Sequence, residues 1–154
     1  MTKETRWLDE DEQTAWRHYL RASRALSLAL DRELLDHGMS LAEYEILSML
    51  SEAEGRRLRM GALADLVVQS RSRITHTATR LQRRGWVTRE SCSSDSRGVE
   101  LVLTDGGYDA LLLAAPVHVA SVRRYFVDTM DGDQLSIVGD GMRRVHEQVG
   151  GEGG

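Results

Sequence analysis

Residues 70–85 constrain this chain more than any other stretch, because they read as one helix with both ends and every face specified. Ser70 is suited to the N-cap, where its hydroxyl accepts from an orphan amide of the first turn. Gly85 closes the helix, since glycine takes the left-handed conformation beyond a C-terminus without steric cost. Between them Ile74, Ala78 and Leu81 recur at steps of four and three, a single helical stripe. That stripe is narrow and partly small, so it seats the helix on a core without burying it. The other faces carry Arg71, Ser72, Arg73, Thr75, His76, Thr79, Arg80 and Arg83, with no acid among them. A solvated helix normally mixes both signs. Arginines that neutralise phosphates, interleaved with short hydroxyls that let a backbone approach base edges, are what a helix lying in a DNA groove needs. The pattern places Arg71, Ser72, Thr75, His76 and Thr79 toward the groove and Arg80, Arg83 and Arg84 toward phosphates or solvent.

The flanks extend this reading. Residues 60–66 form a short helix with Leu63 and Leu66 facing inward, and the link at 67–69 is short enough to set two helices at a steep angle, as in a helix-turn-helix. Residues 86–92 and 99–104 are strand-like, with Val99, Leu101 and Leu103 alternating, and the polar stretch 93–98 turns between them. Arg56-Arg57-Leu58-Arg59 supplies a third strand for that small sheet. Helix, turn, basic helix and hairpin make a winged helix. Arg97 then sits at the wing tip, where a guanidinium can enter a narrow minor groove. Arg59 and Arg89 are read either as backbone contacts or as surface charge.

Net charge alone points away from nucleic acid, but its distribution reverses that. Residues 56–97 hold ten arginines against three acids, a net of +7, in a chain whose total is −4, so the remainder carries −11. A basic middle in an acidic frame is an electrostatic footprint for DNA.

The rest of the chain is helical. Residues 11–36 place Trp16, Tyr19, Leu20, Ser23, Leu26, Leu30 and Leu34 on one face, and His37-Gly38 ends the helix. Ser40-Leu41-Ala42-Glu43 is a capping box, opening a helix that runs to about Glu54, where Gly55 breaks it. Thr104 caps a long apolar helix expected to reach about Met130 and to kink at Pro116. A last helix follows Asp131, with Leu135, Val138, Met142, Val145 and Val149 at seam spacing. These terminal helices are too apolar for the surface of a small monomer. The expected architecture is mainly α: one domain over 1–154, with a winged-helix DNA-binding lobe at 40–104 (wing 86–104) and long N- and C-terminal dimerisation helices at 11–37 and 105–149. A twofold dimer sets the two basic helices about one DNA turn apart, roughly 34 Å.

Taken together, Leu81, Gly85-Trp86-Val87, Arg89, the Asp95-x-Arg97-Gly98 wing and Leu101-x-Leu103-Thr104 resemble the MarR family of bacterial transcriptional regulators, and the helical flanks extend that resemblance over nearly the whole chain. The resemblance implies a homodimer on a pseudo-palindromic operator, usually a repressor, released by a small effector that is often phenolic or anionic. It also makes Arg97 the minor-groove residue and Asp95 the acid that braces it. Thr77 and Ala78 depart from the family pattern, standing where larger apolar residues are common.

With Ser70 and Arg73, the residues above complete the expected DNA-binding set. A ligand pocket is expected from Trp16, His18 and Tyr19 with Arg73 or His76. Neither a cofactor nor a metal is expected, since His18, His37, His76, His118 and His146 form no ligand-spaced pair. No nucleophile elbow, phosphate loop or dinucleotide fingerprint is present, so an enzyme is not expected. No apolar run approaches the roughly 20 residues of a membrane span, no leader is visible, and one cysteine forms no internal disulfide, all of which suit the cytoplasm. Two alternatives stand beside the operator-bound repressor: a redox-responsive regulator acting through Cys92, and a helical dimer acting through protein partners.

Overall fold

The structure, a computed structural model, describes residues 4–92, 94 and 97–151. It is mainly helical, with one small antiparallel sheet. Helix α1 (Glu10–Leu35) opens on a capping box that the periodicity alone did not reveal. Asp9 Oδ1 accepts from the Glu12 amide at 2.8 Å, and the Glu12 carboxylate accepts from the Asp9 amide at 3.0 Å. Helix α2 (Leu41–Glu52) opens on the expected Ser40–Glu43 box. A 3-10 turn, Glu54–Arg56, carries Gly55 at φ +64° and leads into β1 (Arg57–Arg59). The helix-turn-helix follows as α3 (Met60–Leu66) and α4 (Arg71–Arg83), then the wing strands β2 (Val87–Ser91) and β3 (Val99–Leu103). The sheet order is β1-β3-β2, with Leu58 opposite Leu101 and Val87 opposite Leu103. Helix α5 (Asp105–Tyr125), a 3-10 turn (Val127–Thr129) and α6 (Gly132–Gly151) complete the described chain.

The chain divides into two compact units, residues 1–118 and 119–154. The first holds the core. Leu34, Ile46, Leu47, Leu50, Leu63, Ile74, Leu81, Val87 and Leu101 are fully buried there, drawn from α1 to α4 and the wing sheet. Met39 and Tyr44 join them, and Leu111 and Ala114 pack in from α5. The stripe expected on α4 is present, widened by Thr77, which is buried beside Ala78. The small residues that depart from the family pattern thus lie in the seat of this helix.

Tight apposition joins the end of α4 to the start of α5. Gly85 takes φ +72°. The Thr104 hydroxyl donates to the Gly85 carbonyl at 2.7 Å and accepts from the Gly107 amide at 3.0 Å, while the Thr104 amide donates to the Trp86 carbonyl at 3.1 Å. A Cβ on Gly107 would overlap that carbonyl, so only glycine fits there.

Four expectations are corrected. Leu66 is 55% exposed rather than inward, because the buried arc of α3 is centred on Leu63 and Ala64 and Leu66 falls outside it. Val99 is 42% exposed: it opens β3, beyond the part of the strand that covers the core. The helix expected to reach Met130 stops at Tyr125, where Phe126 leaves helical geometry (φ −129°, ψ −64°). The stretch Asp105–Thr129 is in fact long and apolar enough, by composition, to cross a membrane. Its Ser and His residues interrupt an apolar run without lowering the average much, and Leu111 and Ala114 within it serve the lobe core. Pro116 lies inside α5 without ending it.

Candidate nucleic-acid interface

Helix α4 presents its polar faces as the sequence predicts. Ser70 Oγ accepts from the Arg73 amide at 3.3 Å, fixing the first turn. Arg71, Ser72, Arg73, Thr75, His76 and Arg83 are exposed, and Thr79 and Arg80 are half-buried. Ser72, Thr75, His76, Thr79, Arg80 and Arg83 border one open groove of about 400 Å³. A second groove of about 830 Å³ runs between α4, the start of α3 and the wing. Four guanidinium-bearing residues line it, Arg59, Arg71, Arg89 and Arg97, with Thr75 and Thr79 on its helix side. Arg97 is exposed in the wing turn. Asp95 lies outside the described residues.

Several arginines are held by the protein itself. Glu43, in the α2 capping box, is buried at 5% exposure. It pairs with Arg80 at 3.6 Å and Arg84 at 3.2 Å. The Arg84 guanidinium also lies over the Trp86 ring, 3.5 Å from its centroid. One buried carboxylate thus ties α2 to the second half of α4. Arg89, on β2, donates to Gln82 Oε1 at 2.8 Å, to the Thr75 carbonyl at 3.1 Å and to Thr79 Oγ1 at 3.0 Å. Arg73 acts on Glu45: burial pushes that carboxyl up, opposed by a hydrogen bond from Gln69 and by the Arg73 charge.

The MarR family profile matches residues 37–98, a span that runs from before α2 through the helix-turn-helix and β2 to the residue before β3. AbsC, a MarR family transcriptional regulator from Streptomyces coelicolor, is 42% identical, with a TM-score of 0.89 over 96% of this chain and 99% of that one. Sco3205, a MarR family regulator from the same organism solved in complex with DNA, is 43% identical, with a TM-score of 0.90 over 96% of this chain and 92% of that one. The HTH-type transcriptional regulator YkoM of Bacillus subtilis is 26% identical over 129 residues, 84% of this chain and 82% of its own length. The chain belongs to the MarR family.

As a member of that family it is a DNA-binding transcriptional regulator built on a winged helix. Of the residues expected to form a ligand pocket, His76 borders the smaller groove beside α4, and Trp16, His18 and Tyr19 are exposed on α1. Trp16 and Tyr19 stack on each other at 5.8 Å. Arg73 is exposed on α4, and neither it nor His18 lines that groove. An aromatic stripe on a helix fixes a face but not what the face meets.

Cys92 is nearly buried at the end of β2. Arg59 Nη2 donates to its Sγ at 3.1 Å and to Ser94 Oγ at 2.8 Å, and Ser94 Oγ lies 3.2 Å from the sulfur. Hydrogen bonds from Ser94 hold the thiol below its ordinary pKa, with the Arg59 charge assisting and burial and Glu100 opposing. Glu43 and Gln82 were given no role in the site by sequence reasoning, and Arg59 was read only as a strand residue with a backbone or surface charge. For Glu43 the only signal was its place in a capping box, and that explained the residue without its second role.

Proposed function

We propose that this MarR-family regulator is a homodimeric repressor of a pseudo-palindromic operator, acting in the cytoplasm by binding rather than by turnover. The observation that carries the reading is the acid-free exposed face of α4 beside a groove lined by four arginines. In this reading Arg71, Ser72, Thr75 and His76 meet base edges in the major groove, with Thr79 at the rim. Ser70 sets the first turn, Arg73 and Arg83 lie toward phosphates, and Arg97 enters the minor groove, braced by Asp95. Arg80 contributes chiefly by holding α4 to Glu43. The second copy meets the apolar faces of 11–37 and 105–149. A small anionic or phenolic effector relieves repression by binding better to a dimer whose recognition helices are mis-spaced, since only differential affinity shifts such an equilibrium.

Footprinting on the DNA flanking the protein's own gene tests the reading. Two protected half-sites about one helical turn apart are expected. Protection of a single half-site, or none at low salt, would overturn it. Arg97→Ala should weaken binding roughly tenfold with the dimer intact, and reduce the slope of log K against log salt by about one.

One observation favours a second reading. The thiol-lowering contacts of Cys92 sit on the wing sheet, so oxidation there would disturb Arg59 and Ser94. Peroxide that releases wild-type protein from DNA but not Cys92→Ser would support redox control. Equal behaviour of the two would remove it.

A further inference from the structure

We propose that Arg89 is a positioning residue for DNA reading: a strap that fixes the roll of α4 about its own axis instead of a phosphate contact. The inference rests on the DNA-binding reading and adds a role to it. Arg89 projects from β2, and all three of its acceptors lie on α4. Thr75, Thr79 and Gln82 span eight residues, about two helical turns. None of the acceptors is a carboxylate, so what holds the side chain is the forked geometry of its donors rather than an ion pair.

The packing of α4 shows why a strap is needed. The helix is seated on Ile74, Thr77, Ala78 and Leu81, and its middle two seat residues are small. Small residues let a helix come close but give little resistance to rolling. Side-chain tips lie roughly 5–6 Å from a helix axis, so a roll of about 10° displaces them by about 1 Å. That displacement is enough to spoil hydrogen bonds to base edges. Glu43 holds α4 from the α2 side through Arg80 and Arg84. Arg89 holds it from the wing side, at the two threonines that border both grooves. The Thr79 hydroxyl donates to the Thr75 carbonyl at 2.9 Å while accepting from Arg89, so its rotamer is set by the strap.

The two roles differ in what they predict. A phosphate contact contributes equally on any sequence and adds about one to the salt slope. A strap contributes to specific binding and leaves the salt slope alone. Lysine preserves the charge but cannot reach three acceptors at once, so Arg89→Lys separates them. The probes are a duplex that the wild-type protein selects from a random pool and a scrambled duplex of the same composition.

Arg89→Lys should lose about tenfold or more in affinity for the selected duplex, while scrambled-duplex affinity and the salt slope stay at wild-type values. Gln82→Met, which keeps the side-chain length and removes the strap's shortest hydrogen bond, should show the same pattern at smaller amplitude. It decides the matter if the lysine variant melts early. Wild-type affinity for both duplexes in the deciding variant would overturn the proposal, and so would equal losses on both with a reduced slope. If the wild-type protein enriches no duplex, the DNA reading itself fails and takes the strap with it.

Discussion

The winged lobe and the last helix use their apolar residues in opposite ways. In the lobe, Ile46, Leu47, Leu50, Leu63, Ile74, Leu81 and Leu101 are essentially sealed from water. Helix α6 has a comparably regular apolar pattern, yet none of its residues is buried, and Val149 is 70% exposed. Both sequences carry the periodicity of a helix that packs against something. The difference teaches that periodicity announces a contact without saying which chain supplies it. One copy of the lobe meets its own demand for burial, whereas the single chain leaves the α6 stripe uncovered, the face that the proposed dimer would use.

That contrast can be broken at its strongest point first. Gly107→Ala forces a Cβ into the Trp86 carbonyl, backbone against side chain, where neither yields easily. We expect a loss of about 3 kcal/mol or more in lobe stability, seen as an early, concentration-independent melt by circular dichroism. A wild-type melting curve would show that the junction between α4 and α5 is looser than described.

Next in size is the paired change Met142→Asp and Val145→Asp on α6. Both positions are exposed in the single chain, so its fold should hold. Two uncompensated carboxylates buried at an interface should raise the dimer dissociation constant at least a hundredfold or so. Sedimentation should then show monomers at micromolar concentration. An unchanged dimer would move the interface off the seam.

The smallest effect concerns pH. His118 Nδ1 is buried without a hydrogen-bond partner, and the ring lies 4.2 Å from that of Tyr44. Burial holds its pKa below the usual 6.5. The unfolded chain therefore binds this proton more readily than the folded one. Stability from this residue is complete above pH 6.5 and falls as pH drops through the lowered value. His118→Phe should flatten the acid side of the stability profile by a fraction of a kcal/mol, roughly, since the ring is only half-buried. A steeper acid limb in the variant would reverse the sign of this account.

Much of the DNA-binding element was legible because its signals are local. Ser70 and Gly85 terminate α4 where the sequence said they would, Ser40 and Glu43 open α2, and Thr104 caps α5. What escaped was set by partners far along the chain. Leu66 and Val99 obey the right periods but fall outside the core, because the end of an element passes beyond what covers it. Trp16 and Tyr19 stack on an exposed face of α1, and His76 borders a groove beside α4.

The sequence alone determined a capped basic helix, a wing and their family, since caps, stripes and local charge act within a few residues. Only the tertiary structure decided which arginines hold the protein together. An arginine is charged in any role, and its long side chain takes whichever acceptor the fold brings near. Arg84 finds Glu43 across 41 residues, Arg59 finds Ser94 across 35, and Arg89 closes on α4 only because β2 folds back along it.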